Sequence, residues 1–474
     1  MVIQLSAYLV KRPDRGLFPK IVLGIVFVLA GLTISVEAAD LPFDQALKAM
    51  LSANESVKAA YSETERREYE AKAAQGLYFP KITLSGRVTR LDDPIYLDLN
   101  PIRDVILALH PTVPAAAVPS FKEPIQDDTF MTSQLNMIWP VFTGGRITAA
   151  NAAAEAGTRE ANARLRRTTE TLTSDLVRVY FAVRLADQVV RIRAEAKDAL
   201  DLHLFEARRM YEEGFIARTE LLHAQVAQAQ ADRELKASRR DLELAHTALA
   251  NVLSSDEPVT PTTPLFLVSA LEPVDDFLRQ ARDTHPALEQ LDAIKDQTHE
   301  NLRAEKAAYA PEIYLFGIRE LYENDLTVLE PAWAVGAGLN FTLFDGLARP
   351  NRIHAAQKLE EQAGLMRQKL VRDLETLVSS KYQELMKAGE QFDALQASMN
   401  FADENLRARQ RAFEEGLATS IEVVDAQLSL SAAEVERLRA AYAFDIALAQ
   451  LLEASGQGKD FPRYLAEAQM EVEK

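Results

Sequence analysis

The sequence predicts a mainly α protein with a transmembrane β portion, built as a tandem-repeat protomer. Three observations carry that reading. A pattern recurs at two fixed offsets, two stretches keep helical spacing almost without a break, and four short segments alternate apolar with polar side chains.

The repeat comes first. Residues 209–225 match 411–427 without a gap, sharing the Arg, the Glu-Glu-Gly, a later Glu and a closing Ala-Gln, at an offset of 202 (411 minus 209). Phe142 and Gly144 match Phe344 and Gly346 at that offset. Upstream, Tyr78, Pro80 and Ile82 match Tyr309, Pro311 and Ile313, and Pro42 and Asp44 match Pro273 and Asp275, at an offset of 231. The difference, 231 minus 202, places a 29-residue insertion in the first copy between Pro80 and Phe142. The copies therefore span 39–265 and 266–456.

Composition removes whole classes of function. Among 474 residues there is no cysteine, which excludes disulfides, zinc–thiolate sites, thiol nucleophiles and a lipidated N-terminal cysteine. Seventy acidic against 53 basic side chains give a net charge of −17, which argues against nucleic acid as a partner. Only 18 glycines accompany long Ala-, Leu-, Glu- and Arg-rich stretches, the palette of long helices.

Residues 1–38 read as a signal peptide. Lys11, Arg12, Arg15 and Lys20 precede an apolar run over 21–36, with Val36 and Ala38 placed as in a secretory cleavage site. A single membrane anchor is the alternative at that length.

Each copy then reads as helix, strand, loop, strand, long helix, turn, helix. Helical spacing over 43–77 and 274–308 ends at Pro80 and Pro311. In the first strand, about 81–91, Ile82, Leu84, Gly86 and Val88 oppose Lys81, Thr83, Ser85 and Arg87. A second strand covers about 130–142, after a proline-rich loop over 92–128 that holds the insertion. The second copy offers strands at about 312–322, with Tyr314, Phe316 and Ile318 on its bulkier face, and about 332–344, where Trp333, Val335, Ala337 and Leu339 form the apolar side. Four such segments suit strands crossing a bilayer at a tilt. Helical patterns over 146–213 and 349–415 predict helices near 100 Å long, which need lateral packing. Shorter helices return over 219–253 and 420–454. A proline-rich linker occupies 254–273 and a polar tail 457–474.

Four strands are too few to close a membrane barrel, and an open sheet edge in lipid leaves backbone groups unpaired. Other subunits must supply the remaining strands.

These tandem copies, the proline-marked strand starts, the Phe-x-Gly strand ends and the duplicated Glu-Glu-Gly turn resemble the TolC-type outer-membrane efflux family over residues of about 40–456. The resemblance implies a homotrimer with a twelve-stranded barrel in outer-membrane lipid and a periplasmic helical barrel. It implies a periplasmic membrane-fusion adaptor and an inner-membrane transporter of the RND, ABC or MFS type as partners, in a tripartite efflux or type I secretion system. Cofactors are not implied.

Within that resemblance, Gly214, Phe215, Ile216 and Gly416, Leu417, Ala418 occupy the tip turns that adaptors contact. Where the family often has Val before the glycine, this chain has Glu213 and Glu415. Glu422 and Asp425, three apart on one helical face, stand where the family's aperture acids stand, and Glu220 and His223 are their first-copy equivalents. Trp139, Phe142, Trp333 and Phe344 are candidate interface aromatics, with both tryptophans expected at similar places in their strands. No catalytic motif is present: His299 and Glu300 lack the second histidine of HExxH, because Arg303 stands in its place, and the seven histidines show no metal-ligand grouping. A soluble periplasmic coiled-coil scaffold or adaptor is the alternative function.

Overall fold

A computed structural model describes residues 39–255, 259–268, 270–327 and 330–472. The expected signal peptide lies outside the described residues. The chain begins with β1 (Ala39–Leu41), α1 (Phe43–Ala53) and α2 (Glu55–Gln75), and β2 (Lys81–Arg90) follows. The insertion holds β3 (Ile95–Asp98), α3 (Asn100–Leu109) and β4 (Lys122–Gln126). Then come β5 (Thr129–Phe142), α4 (Arg146–Glu212) and α5 (Arg218–Leu253). Two short strands, β6 (Val259–Pro261) and β7 (Leu265–Leu267), lead to the second copy: α6 (Val274–Thr284), α7 (Pro286–Ala307), β8 (Glu312–Glu320), β9 (Trp333–Asn340), α8 (Ala348–Glu414) and α9 (Ser420–Ser455). The chain closes with α10 (Phe461–Ala466) and β10 (Met470–Val472).

The duplication governs helix length. Helices α4 and α8 each have 67 residues, and α5 and α9 each have 36. At 1.5 Å per residue the longer pair reaches about 100 Å. The helices expected over 43–77 and 274–308 are each broken instead. Asn54 leaves the helix in an extended conformation and its side chain accepts the Ser56 N–H at 2.9 Å. His285 does the same toward Ala287 at 3.1 Å, with Pro286 at the first helical position. Both breaks are side-chain caps inside an apolar pattern that reads as continuous.

One four-stranded antiparallel sheet has the order β2-β5-β8-β9, so β2 and β9 are its edges. Paired residues share a face, which gives two sides. One carries Ile82, Leu84, Val88, Val335 and Leu339, all exposed large apolar side chains. The other carries Lys81, Thr83, Ser85 and Asn136, together with Tyr314, Phe316 and Ile318, so the bulkier side of β8 belongs to the polar face. Glycine permits this: a Cβ at Gly338 or Gly336 would collide with the Tyr314 or Phe316 ring. The strand expected over 332–344 stops at Asn340, where its partner β8 begins at Glu312, and Phe344 lies beyond it.

The largest core sits along the middle of the helices. Phe43, Phe181, Phe266 and Phe461 are fully buried together, with Phe43 and Phe461 rings 5.1 Å apart. Fully buried Tyr180 donates to the Leu41 carbonyl at 2.6 Å and accepts the Thr262 and Thr263 N–H groups. The segments expected as linker and polar tail are part of this core. Strand β6 pairs with β1 and β10 with β7, and Leu265, Tyr464 and Val472 are all about 1% exposed. The expected loop over 92–128 is likewise folded, into a hairpin of β3 and β4 around α3.

Candidate functional site

The hairpin tips lie at the ends of α4 and α8. Each long helix ends in the same hydrogen-bonded pattern: Phe215 N–H reaches the Met210 carbonyl at 2.8 Å, and Leu417 N–H reaches that of Ala412 at 2.7 Å. The residue before each is in the left-handed region, Gly214 at φ 81° and Gly416 at φ 72°, and open space surrounds both. Glycine is needed for backbone angle, not for room. Phe215 and Leu417 project into solvent at 73% and 77% exposure. Ile216 and Ala418 turn inward instead, onto a cluster of Ala207, Ala224, Phe413 and Val423. Of the six expected tip residues, the two glycines shape the turn, two residues pack beneath it and two stand free.

The expected aperture acids divide in the same way. Glu422 is the third residue of α9 and closes a capping box with Thr419. It accepts the Thr419 N–H at 2.8 Å, the Thr419 hydroxyl at 3.1 Å and Arg409 Nη1 at 2.9 Å. These bonds, the Thr419 N–H above all, hold its carboxyl below the ordinary range. Glu220 reaches across the duplication to accept the Ser420 N–H at 2.8 Å. Asp425 is exposed, and its carboxylate has no hydrogen-bond or salt-bridge partner among the described residues; His223 is exposed on α5.

Sequence reasoning missed the pair that joins the two hairpins. His203 Nε2 lies 2.7 Å from Ser420 Oγ, Ser420 is fully buried, and the imidazole packs 4.8 Å from the Phe413 ring. Burial pushes the His203 pKa down, and nearby Glu220 partly opposes that shift. The signal available was a buried-face histidine three turns before a glycine stop, which spacing alone does not separate from a solvated one. A cavity of about 150 Å³ adjoins the pair, lined by Glu206, Phe413, Glu414 and Gln427 among others. Burial, then the charge of Glu414, raises the Glu206 pKa.

At the other end of the long helices the sheet is joined to the helices by a mostly apolar cavity of about 760 Å³. Arg146 at the start of α4 pairs with Glu312 at the start of β8. Trp139 donates to the Tyr78 carbonyl at 2.9 Å, near this end. Trp333 is opposite Arg319 at the far end of the sheet, so the tryptophans do not occupy similar places. Phe142 and Phe344 are both exposed beside the helix starts. No helix of the described residues is long and apolar enough to cross a membrane, and no group of three or more His, Asp or Glu among them could hold a metal ion.

The arrangement matches known channels. The family model for outer membrane efflux proteins matches residues 46–255 and 277–457. No curated protein matches the sequence. Among solved structures, CusC, described in terms of folding and transmembrane channel formation, superposes with a TM-score of 0.74 at 15% identity, covering 88% of this chain and 93% of that one. The Campylobacter jejuni CmeC outer membrane channel gives 0.71 at 14%, covering 90% of each chain. The open-state Neisseria gonorrhoeae MtrE outer membrane channel gives 0.69 at 17%, covering 90% of this chain and 93% of that one. Such identities speak to the fold; the match over both copies of the repeat speaks to descent. The chain belongs to the outer membrane efflux protein family.

Proposed function

We propose that three copies of this chain assemble into an exit duct. Their sheets would join edge to edge as a twelve-stranded barrel in the outer membrane, and their helices would line a periplasmic tunnel. The duct would receive substrates from an inner-membrane transporter of the RND, ABC or MFS type through a periplasmic adaptor, in tripartite efflux or type I secretion. The observation that carries this reading is the four-stranded sheet, with β2 and β9 unpaired on their outer edges among the described residues and one face of exposed apolar side chains. Such a sheet is stable in lipid only when its edges are paired.

Lateral packing of the helices supports the same assembly. Tyr61 and Tyr69 on α2, and Leu365, Met366 and Phe401 on α8, are exposed large apolar side chains on faces that neighbouring copies would cover. Phe215 and Leu417 would meet the adaptor. Asp425, with Glu422 beside it, would repeat around the threefold axis as the acidic aperture, and Trp139 and Trp333 would mark the two membrane interfaces. The chain is a channel component of the outer membrane and not an enzyme.

The test is the mass and location of the protein. Purification from the outer membrane should yield a trimer by light scattering that dissociates on heating in detergent. Leu339→Arg, on the apolar face, should destabilise the assembled barrel by about 2–4 kcal/mol if near the bilayer midplane. Monomers released with the soluble periplasm would instead favour the scaffold reading.

A further inference from the structure

The insertion between β2 and β5 carries a helix whose sides are reversed relative to an ordinary surface helix. In α3, Arg103 is half-buried: its Nε donates to the Val118 carbonyl and its Nη2 to that of Ala115, both at 2.9 Å. Leu107, four residues on, is half-buried on the same side. The exposed side carries Ile102, Val105, Ile106 and Leu109, at 58%, 59%, 42% and 71% exposure. That spacing of three, one and three is the stripe by which a helix packs against other helices. The segment is held in place, not loose: Asn100 Oδ1 accepts from Ser120 Oγ and Phe121 N–H, and the Leu99 N–H reaches the Phe121 carbonyl at 2.8 Å.

We infer that this stripe is an interface between copies of the chain, so that three α3 helices meet and cap the barrel mouth. The inference rests on the trimer proposed above. Two observations select a second copy over other occupants. The insertion follows directly from Arg90, at the end of β2 away from the helices, and β2 is the edge strand that a neighbouring copy would pair with, so the stripe continues from that interface. Residues 92–128 also hold seven acidic and two basic side chains, and a phosphate-rich lipid surface would repel that charge. Three symmetry-related stripes cover one another without any further partner. Within the chain, the base of the insertion is braced by the second repeat, since Asp325 Oδ2 accepts the Met131 N–H at 2.7 Å. The cap would make the mouth a second constriction, at the end opposite the hairpin tips.

A chain without cysteine makes the test direct. Leu109→Cys and Ile106→Cys, each alone, should give disulfide-linked dimers under mild oxidation of the purified trimer, approaching two chains in every three. Asp104→Cys, off the stripe, should give few. Oxidation of the Leu109→Cys trimer should lower single-channel conductance several-fold, and reductant should restore it. Trimers of normal mass in which neither stripe thiol crosslinks would overturn the cap while leaving the duct intact. So would stripe thiols that react only with a lipid-soluble reagent, which would place α3 on the membrane. Absence of trimers in the unmodified protein would instead sink the duct reading itself.

Discussion

Asn54 and His285 occupy the same break in the two copies, 231 residues apart, and each side chain accepts the N–H two residues further on. One job is done by an amide in the first copy and by an imidazole in the second. Only the second titrates. Burial, with Arg167 nearby, pushes the His285 pKa down to about 4 from an ordinary 6.5.

Acid should therefore weaken the fold through His285. Between about pH 6.5 and 4 the unfolded chain takes up a proton that the folded chain refuses, so stability falls as pH falls through that window. The whole window is worth at most about 3 kcal/mol per chain. His285→Asn keeps a capping side chain and removes the titration. Thermal unfolding at pH 7 and pH 4.5 should show a smaller acid loss in the variant than in the parent; equal losses would mean that other groups carry the acid response.

Glu170, in the same cavity of about 410 Å³, works in the opposite direction. Burial, then the charge of Glu453, raises its pKa to about 7 from 4.5. The unfolded chain loses this proton first, so stability falls as pH rises from about 4.5 to 7 and the penalty persists above that. Glu170→Gln should raise the unfolding midpoint at pH 8 and leave it nearly unchanged at pH 4.5. A variant no more stable at pH 8 would refute the assignment.

At the tips, exposure separates the proposed docking from folding. Phe215→Ser and Leu417→Ser remove apolar side chains that contribute little buried area, so trimer stability should change by less than about 0.5 kcal/mol. Crosslinking to the cognate adaptor in cells should fall sharply. Gly416→Ala is the counterpart: at φ 72° it should destabilise the turn by about 1–2 kcal/mol although nothing crowds its side chain. Adaptor capture that survives both serine changes would move the contact elsewhere.

The two acids proposed for the aperture should not be equivalent. Glu422 is engaged with Thr419 and Arg409, whereas the Asp425 carboxylate has no partner among the described residues. In planar bilayers, Asp425→Asn should weaken cation preference and block by multivalent cations more than Glu422→Gln does, and neither should impair assembly. Block unchanged in the double variant would leave these acids as ordinary helix-surface groups.

The long helices were legible in the sequence to within a residue at either end, because glycine stops and an unbroken apolar period mark them without reference to anything distant. The strands were legible from alternation, except where β9 runs out of partner at Asn340. The helix breaks were hidden, since Asn54 and His285 interrupt the backbone through one side-chain bond each. The tail looked polar because its contribution to the core is three side chains, Phe461, Tyr464 and Val472, whose partners lie far away in sequence; Tyr464, for example, donates to Glu272 at 2.7 Å. The His203–Ser420 contact joins residues 217 apart and leaves no local trace. The apolar stripe of α3 fell within a stretch whose prolines suggested only a loop.

The matched lengths of α4 with α8, and of α5 with α9, tie the two halves of the gene product to a common history. Deleting seven residues from α4 alone would withdraw its tip by about 10 Å from the neighbouring one, breaking the Glu220–Ser420 and His203–Ser420 contacts together. A change in helix length must therefore alter both halves in step, and by amounts that restore the facing of each helix. No such lockstep binds the connection between β2 and β5, where one half has grown by 29 residues and the other has not. Change in this chain is therefore channelled to the end of the sheet away from the helices, while the length of the paired helices is held by mutual agreement of its two halves.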